Sequence, residues 1–380
     1  MKKKTLTTTV FLAAIALAAC TPSTKSDGSI TVIEQNGTEL TLCDFSKVKD
    51  TVDIPLSEWV EDCQIVRFEN ADTALFKFWW PAITDHYIGI RQQGGVFKLF
   101  DHQGKFLYDI GAMGQGPGEY AGSLYGEAID EKNQCIYLAP FFGSTKILKY
   151  NMDGTFASDI ELGEPLNKPK LGLNPDGSLS LVHLCFQDRN KMMAAHIAKD
   201  GTVTPYIPTA EQMINPRDKD GNFVGFNNEI WSYGNKEGLQ FMSMPIDTLY
   251  NYNPEKNRLE ARFALSNPPV GKDVFLIYNE LPGKFLATIW GKGTIAADMA
   301  KQNSHYVKLV NDFVGGLSAP LNFTNGWFFA MYEPMVLAEG IEKRLAETNC
   351  SEKDKEVLNK LLESLDENDN NVMFIGKLKQ

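Results

Sequence analysis

Histidine is scarce in this chain, cysteine does not come in motif pairs, and positive charge is in deficit. Each shortage closes off a class of function. The five histidines, His86, His102, His183, His196 and His305, follow no common period and include no His-x-x-x-His pair, so no metal-ligand set is legible. His86 and His102 read as turn residues, His183 and His196 as strand residues, and His305 lies in a segment of ambiguous type. Beyond Cys20, the cysteines Cys43, Cys63, Cys135, Cys185 and Cys350 are odd in number and irregular in spacing, which argues against a disulfide framework or a zinc site and for small buried apolar residues. Lys and Arg number 37 against 48 Asp and Glu, a net charge of −11, which repels nucleic acid and anionic headgroups. There is no Gly-x-Ser-x-Gly elbow, and paired carboxylates such as Glu61-Asp62 fall on predicted loops, where they are solvated charge. After residue 19 no apolar run is long enough to span a bilayer.

The N-terminus carries the clearest signal. Lys2, Lys3 and Lys4 precede an unbroken apolar run over residues 10–19, a short export-signal pattern. Its ending, Leu17-Ala18-Ala19-Cys20, resembles the lipobox of bacterial lipoproteins, which implies cleavage after residue 19 and lipidation of Cys20. Removal of residues 1–19 leaves 34 Lys and Arg against 48 Asp and Glu, about −14, so the lipid rather than surface charge must hold the protein to a membrane. Thr21, not aspartate, follows the cysteine, which by the sorting rule of such lipoproteins favours the outer membrane of a Gram-negative cell envelope, facing either side.

Internal repetition decides the fold class. "FDHQGKFLYDI" at 100–110 returns as "YNMDGTFASDI" at 150–160, as "IAKDGTVTPYI" at 197–207 and, with one insertion, as "YNPEKNRLEARF" at 252–263. Each copy is an apolar strand, a turn rich in Asp, Asn and Gly, and a second strand. Second turns fall between the copies at 83–90, 129–138 and 173–182, so each period of roughly 50 residues holds two hairpins, the content of one four-stranded propeller blade. The sequence therefore predicts an all-β, six-bladed β-propeller over residues 53–380, with five or seven blades left open because the period blurs after Phe263, preceded by a signal peptide (1–19) and a tether with an N-terminal hairpin about Asn36-Gly37 (20–52). A helical insertion is predicted over 335–368, started by Ser351 with Asp354 and with Val357, Leu358, Leu361, Leu362 and Leu365 on one face. The segment 371–379 reads as a closing strand with 63–68 as its N-terminal mate. No repeat ends in Trp-Asp, which separates the chain from WD-repeat propellers.

The glycine-rich stretch "GAMGQGPGEYAG" at 111–122 invites a phosphate-loop reading, which its chemistry rejects. It lacks Gly-Lys-Ser/Thr and a following helix, Pro117 removes an amide, and Glu119 repels phosphate, so no nucleotide or other cofactor is expected. As a connector between blades it calls for positive φ at Gly116 and Gly118, with Glu119 accepting amides from the next blade or pointing into the channel. Trp79-Trp80-Pro81 and "NGWFFAMY" at 325–332 fit either blade core, which is favoured, or faces that stack on sugar rings.

The stretch 96–120 with its Gly-Gln-Gly-Pro-Gly-Glu-Tyr string, "DTLYNYN" at 247–253 and the "ENDNNVMFIGKLK" ending resemble the bacterial six-bladed β-propeller lipoproteins and, more distantly, NHL-repeat propellers. The resemblance implies fold and export rather than an activity. Residues 267–324 carry no motif that aligns. Two functions stay open: a non-catalytic binding or scaffold module for a glycan, peptide or partner protein, and an extracytoplasmic lyase or hydrolase with its site at the channel mouth. Glu119, Tyr120, Trp79 and Trp80 are the candidate ligand contacts, with no catalytic or metal residue assigned. Asp50-Thr51-Val52, Asp72-Thr73-Ala74 and Asp247-Thr248-Leu249 resemble a bacterial O-glycosylation motif.

Overall fold

The computed structural model describes residues 26–244, 246–269 and 274–380; Cys20 and the signal segment lie outside them. Six antiparallel four-stranded blades surround a central channel. Blade 1 holds Phe78–Ile83, Tyr87–Gln92, Phe97–Asp101 and Phe106–Ile110 from channel to rim, and blade 2 holds Leu124–Asp130, Cys135–Pro140, Lys146–Asn151 and Phe156–Glu161. Blade 3 is Lys170–Leu173, Leu179–Val182, Ala194–Ile197 and Val203–Tyr206; blade 4 is Ile230–Trp231, Leu239–Ser243, Leu249–Asn253 and Arg258–Ser266. Blade 5, Leu276–Leu281, Lys284–Ile289, Gly293–Asp298 and Asn303–Asn311, fills the stretch without sequence motifs. Blade 6 is Phe323–Thr324, Trp327–Tyr332, Val372–Lys377 and, from the other end of the chain, Gln64–Arg67.

The four sequence repeats are the outer hairpins of blades 1 to 4; a turn glycine with φ 83–86° serves the first three and Asn257 with φ 44° the fourth. Gly104 and Gly154 both have φ 83°, and a Cβ on either would lie within 2.3 Å of a backbone oxygen of the preceding blade, Arg67 or Asp109. Glycine is therefore required twice over, by conformation and by close approach between blades. In blade 5 the equivalent turn has Gln302 at φ 52°, which hides the period from a search for Asp-Gly.

Six apolar clusters hold the ring together, each bridging two adjacent blades. Between blades 6 and 1, for instance, Val66, Ile88, Ile90, Phe100, Phe329 and Met373 interlock, and Phe68 meets Phe100 edge-on with centroids 4.8 Å apart. Truncating one such buried phenylalanine to alanine costs about 3–5 kcal/mol. The ring closes where Val372–Lys377 pairs antiparallel with Gln64–Arg67, Val372 facing Arg67. The N-terminal segment runs around the rim. Its hairpin, Ile30–Gln35 and Thr38–Asp44, turns at Asn36 (φ 52°) and Gly37 (φ 72°) and adds in parallel to the outer strand of blade 4, Thr41 facing Phe263. Thr51–Pro55, which spans the expected tether boundary at residue 52, then adds to blade 5. Two rim edges are thereby covered.

Helix α1, Pro334–Leu345, and helix α2, Glu352–Leu362, interrupt blade 6. Ser351 and Asp354 form a reciprocal capping box at the start of α2. Leu358 and Leu361 are buried and Leu362 and Leu365 pack beside them, whereas Val357, expected on the same face, is exposed. The five described cysteines are free, four of them buried. His183 lies just past the strand Leu179–Val182 rather than in it, and His305 lies in the strand Asn303–Asn311.

Candidate functional site

The inner strands of the blades start at one end of the channel, and their first residues line a cavity of about 230 Å³. Blade 1 supplies Trp79, Trp80 and Arg91, blade 2 Tyr125 and Glu127, blade 3 Lys170, blade 4 the run from Glu229 through Trp231 to Tyr233, and blade 6 Thr324 and Asn325. Two β-bulges aim the aromatic walls. The register of blade 1 slips between Phe78 and Trp80, that of blade 2 between Leu124 and Gly126, so Trp79 and Tyr125 are the extra residues. A bulge redirects its side chain, and these two meet edge to face with centroids 5.5 Å apart.

Charge is packed behind this wall. The Arg91 guanidinium is almost fully buried, 4.7 Å from the Trp79 ring centre and 5.2 Å from that of Tyr125. Its Nη1 donates to the Tyr125 carbonyl at 2.7 Å and to Glu127 Oε2 at 3.0 Å, while Nε has no partner among the described residues. Lys168 Nζ donates to Glu229 Oε2 at 2.8 Å and to the Asn228 carbonyl at 2.7 Å, and the Tyr125 hydroxyl donates to Glu229 Oε1 at 2.5 Å. Both carboxylates are thus engaged by cations.

Lys170 is different. Half-buried, its ammonium sits 4.1 Å from the Tyr125 ring centre and makes no hydrogen bond or ion pair with any described residue. Burial, and next the Arg91 charge, push its pKa from 10.5 down to about 7, against the pull of Glu127 and Glu229. Burial also pushes the Tyr125 and Tyr233 hydroxyls well above their ordinary range, so both stay neutral donors. The mouth therefore holds three cations, two carboxylates and five large aromatic side chains in a chain of net charge −11.

Of the residues singled out in the sequence, Trp79 and Trp80 line this cavity. Trp80 also packs on Phe329 at 5.0 Å and Tyr233 at 5.8 Å, so it serves the core and the wall at once. Glu119 and Tyr120 lie in the connector between blades 1 and 2. Glu119 Oε2 accepts from the Gly116 amide at 2.8 Å, inside its own loop rather than from the next blade. The buried Tyr120 hydroxyl donates to the Ile110 carbonyl at 2.9 Å and accepts from the Phe97 amide at 2.8 Å. Gly118 has the expected positive φ, 73°, but Gly116 does not; its place is fixed by the Glu119 carboxylate 3.1 Å from where a Cβ would stand. Arg91, Tyr125, Glu127, Lys170 and Glu229 were not singled out in the sequence.

The opposite end of the channel opens into a larger space of about 580 Å³ lined by Asp85, Lys236, Glu237, Trp327 and Lys377. There Lys377 pairs with Asp85 at 2.7 Å, and a single indole stands where the other mouth has three. None of the histidines lines either end: His102 packs edge-on against Trp327 at 5.2 Å from behind, His86 pairs with Glu131 at 2.8 Å on the surface, and the fully buried His183, its pKa pushed down to about 4 by burial, lies 3.7 Å from Glu164. Among the described residues no three His, Cys, Asp or Glu side chains converge as a metal site, and no helix is long and apolar enough to cross a membrane.

A family model matches residues 41–273, more than half of the chain. The chain belongs to the DUF4934 family, a domain of unknown function. The DUF4934 match spans blades 1 to 4 and so includes Trp79, Arg91, Tyr125, Glu127, Lys170 and Glu229, leaving only Thr324 and Asn325 of the mouth outside it. No curated protein matches this DUF4934 chain in sequence. Among solved structures it is similar to a Bacteroides fragilis protein assigned as exported, at 15% identity and a TM-score of 0.61, covering 88% of this chain and 99% of that one. It is also aligned with a DUF4221 member from Bacteroides vulgatus at 12% identity and a TM-score of 0.42, covering 84% and 98%. The first likeness shows a shared fold; the second carries no argument.

Proposed function

We propose that this DUF4934 protein is an exported, lipid-anchored binding module whose ligand enters the channel mouth of blades 1 to 4 and 6. The observation that carries the reading is the unpaired Lys170 ammonium inside a cavity walled by Trp79, Trp80, Tyr125 and Trp231. Concave, aromatic-walled spaces with a few convergent polar groups are the usual form of a binding site. Both mouth carboxylates are held by cations, which favours recognition over acid/base chemistry. Export and anchoring are supported by the residues 2–20 pattern ending in Cys20 and by the exported Bacteroides neighbour.

The test is a screen of the full mature chain, residues 20–380 with Cys20→Ser for solubility, against glycan and peptide arrays, repeated with Trp79→Ala and Trp231→Ala. Ligands found with the parent should bind at least tenfold more weakly to one of the two variants while the melting temperature stays within a few degrees. A ligand bound equally well by all three proteins would contradict the reading. For the anchor, the intact chain should pellet with membranes and Cys20→Ser should move to the soluble fraction; a variant that still pellets would refute lipidation.

A further inference from the structure

The chemistry of the mouth narrows what it can hold. Its volume, about 230 Å³, falls short of the ~300–1,000 Å³ of drug-sized sites, so it takes one ring-sized group rather than a chain. Its charges do not cancel: Arg91 is spent on Glu127 and Lys168 on Glu229, leaving the Lys170 ammonium as the one cation of the three without a counter-ion among the described residues. A half-buried charge held against aromatic rings gains from being paired, so the site favours a ligand that brings one negative charge. A second negative charge would meet Glu127 and Glu229, which disfavours a phosphate dianion or a polyacid. The remaining lining is indole faces alternating with Ser232, Thr324 and Asn325, hydrogen-bonding groups suited to hydroxyls. The buried Arg91 Nε is a further donor without a partner.

We propose that the channel mouth binds the acidic ring of a glycan, a sugar carrying a single carboxylate, with Lys170 as its counter-ion and the Trp79 and Trp80 side of the cavity as its stacking wall. This rests on the reading of the mouth as a ligand site and adds the ligand's class.

The groups that face the Lys170 amine are Arg91 and Lys168, which repel its proton, Glu127 and Glu229, which attract it, and the neutral Tyr125. With the amine titrating at about 7, only its protonated form pairs with a carboxylate, so affinity falls about tenfold between pH 6 and pH 8.

The experiment is calorimetric titration of the full mature protein with glucuronic acid, galacturonic acid, glucose, galactose and free glutamate, at pH 6 and pH 8, in the parent and in Lys170→Met. The proposal expects the two acidic sugars to bind at least tenfold more tightly than the neutral ones and than glutamate, with that advantage lost in Lys170→Met and reduced about tenfold at pH 8. Neutral sugars binding as well as acidic ones would overturn it while leaving the mouth a sugar site. Glutamate binding as well as the acidic sugars would overturn it in favour of a peptide carboxylate. Silence from every sugar would overturn it too, and the array screen with the tryptophan variants then judges separately whether the mouth binds anything. If Lys170→Met fails to fold, the pH dependence of the parent decides: acidic-sugar affinity unchanged between pH 6 and pH 8 refutes the counter-ion role.

Discussion

The glycine-rich connector and the channel mouth are opposites. The connector is conspicuous in sequence and complete in structure: Glu119 satisfies the Gly116 amide, the Tyr120 hydroxyl both donates and accepts, and the Gly118 carbonyl accepts from Tyr150 at 3.0 Å. The mouth is inconspicuous in sequence and incomplete in structure, with Lys170 and Arg91 Nε unpartnered among the described residues. A folded chain pairs its buried polar groups wherever it can, so residual unpaired groups in a cavity mark where something else is to be bound. A motif whose bonds are all made internally marks only how the chain turns.

Four experiments probe this contrast. The largest effect should come from removing the closure on which both regions depend: deletion of residues 372–379 strips blade 6 of the strand between Trp327–Tyr332 and Gln64–Arg67 and exposes its edges. Aggregation or loss of a cooperative melt is expected by calorimetry, and a parent-like melt would refute the closed ring.

Next, Gly118→Ala in the connector should cost about 1–3 kcal/mol, because φ is 73° and the new Cβ would stand 2.5 Å from the Phe156 ring. The melt should drop by several degrees with binding at the mouth unchanged; altered ligand affinity would put the connector in the site.

At the mouth the sign reverses. The Lys170 pKa is lowered on folding, from 10.5 to about 7, so the unfolded chain holds the proton more tightly between those values. The cost of its charge is fully present below pH 7 and is lifted as pH rises toward 10. Lys170→Met should therefore match or exceed the parent's stability at pH 6.5 and lose the parent's upward trend between pH 7 and pH 9, read as melting temperature against pH. A variant destabilised at every pH would mean that the amine is a structural partner. The smallest effect is none: millimolar ATP or NAD should leave the melting temperature unchanged, and a rise abolished by Gly116→Ala would restore the phosphate-loop reading.

The fold was legible because its turns are written locally. Asp-Gly at 153–154 and 200–201 and the strands around it repeat at blade spacing, and Ser351 with Asp354 announces α2 by short-range bonding alone. Blade 5 was not legible because its turn puts Gln302 at positive φ, where blades 1 to 3 use Gly and blade 4 uses Asn, the residues that signal such a turn. The site was legible only at Trp79 and Trp80. Its other members are scattered over five strands and the loops beside them, brought together by ring closure and by bulges at Trp79 and Tyr125 that no local pattern encodes. Lysines at 168 and 170 in "NKPKLGL", entering an inner strand, were the one available hint, since charge there faces the channel.

The account's central claim is that the mouth holds a half-buried cation with no counter-ion among the described residues, and the pH dependence of amine labelling tests it most directly. Brief acetylation across pH 6 to 11, read by peptide mass spectrometry on the folded mature protein, gives each lysine's titration. Lys170 should become reactive with a midpoint near 7, while the surface Lys146, held between Asp159 and Glu161 at 2.8 Å each, should titrate above its ordinary 10.5. A Lys170 midpoint at or above 10 would mean that its charge is already paired or solvated, and would contradict the claim.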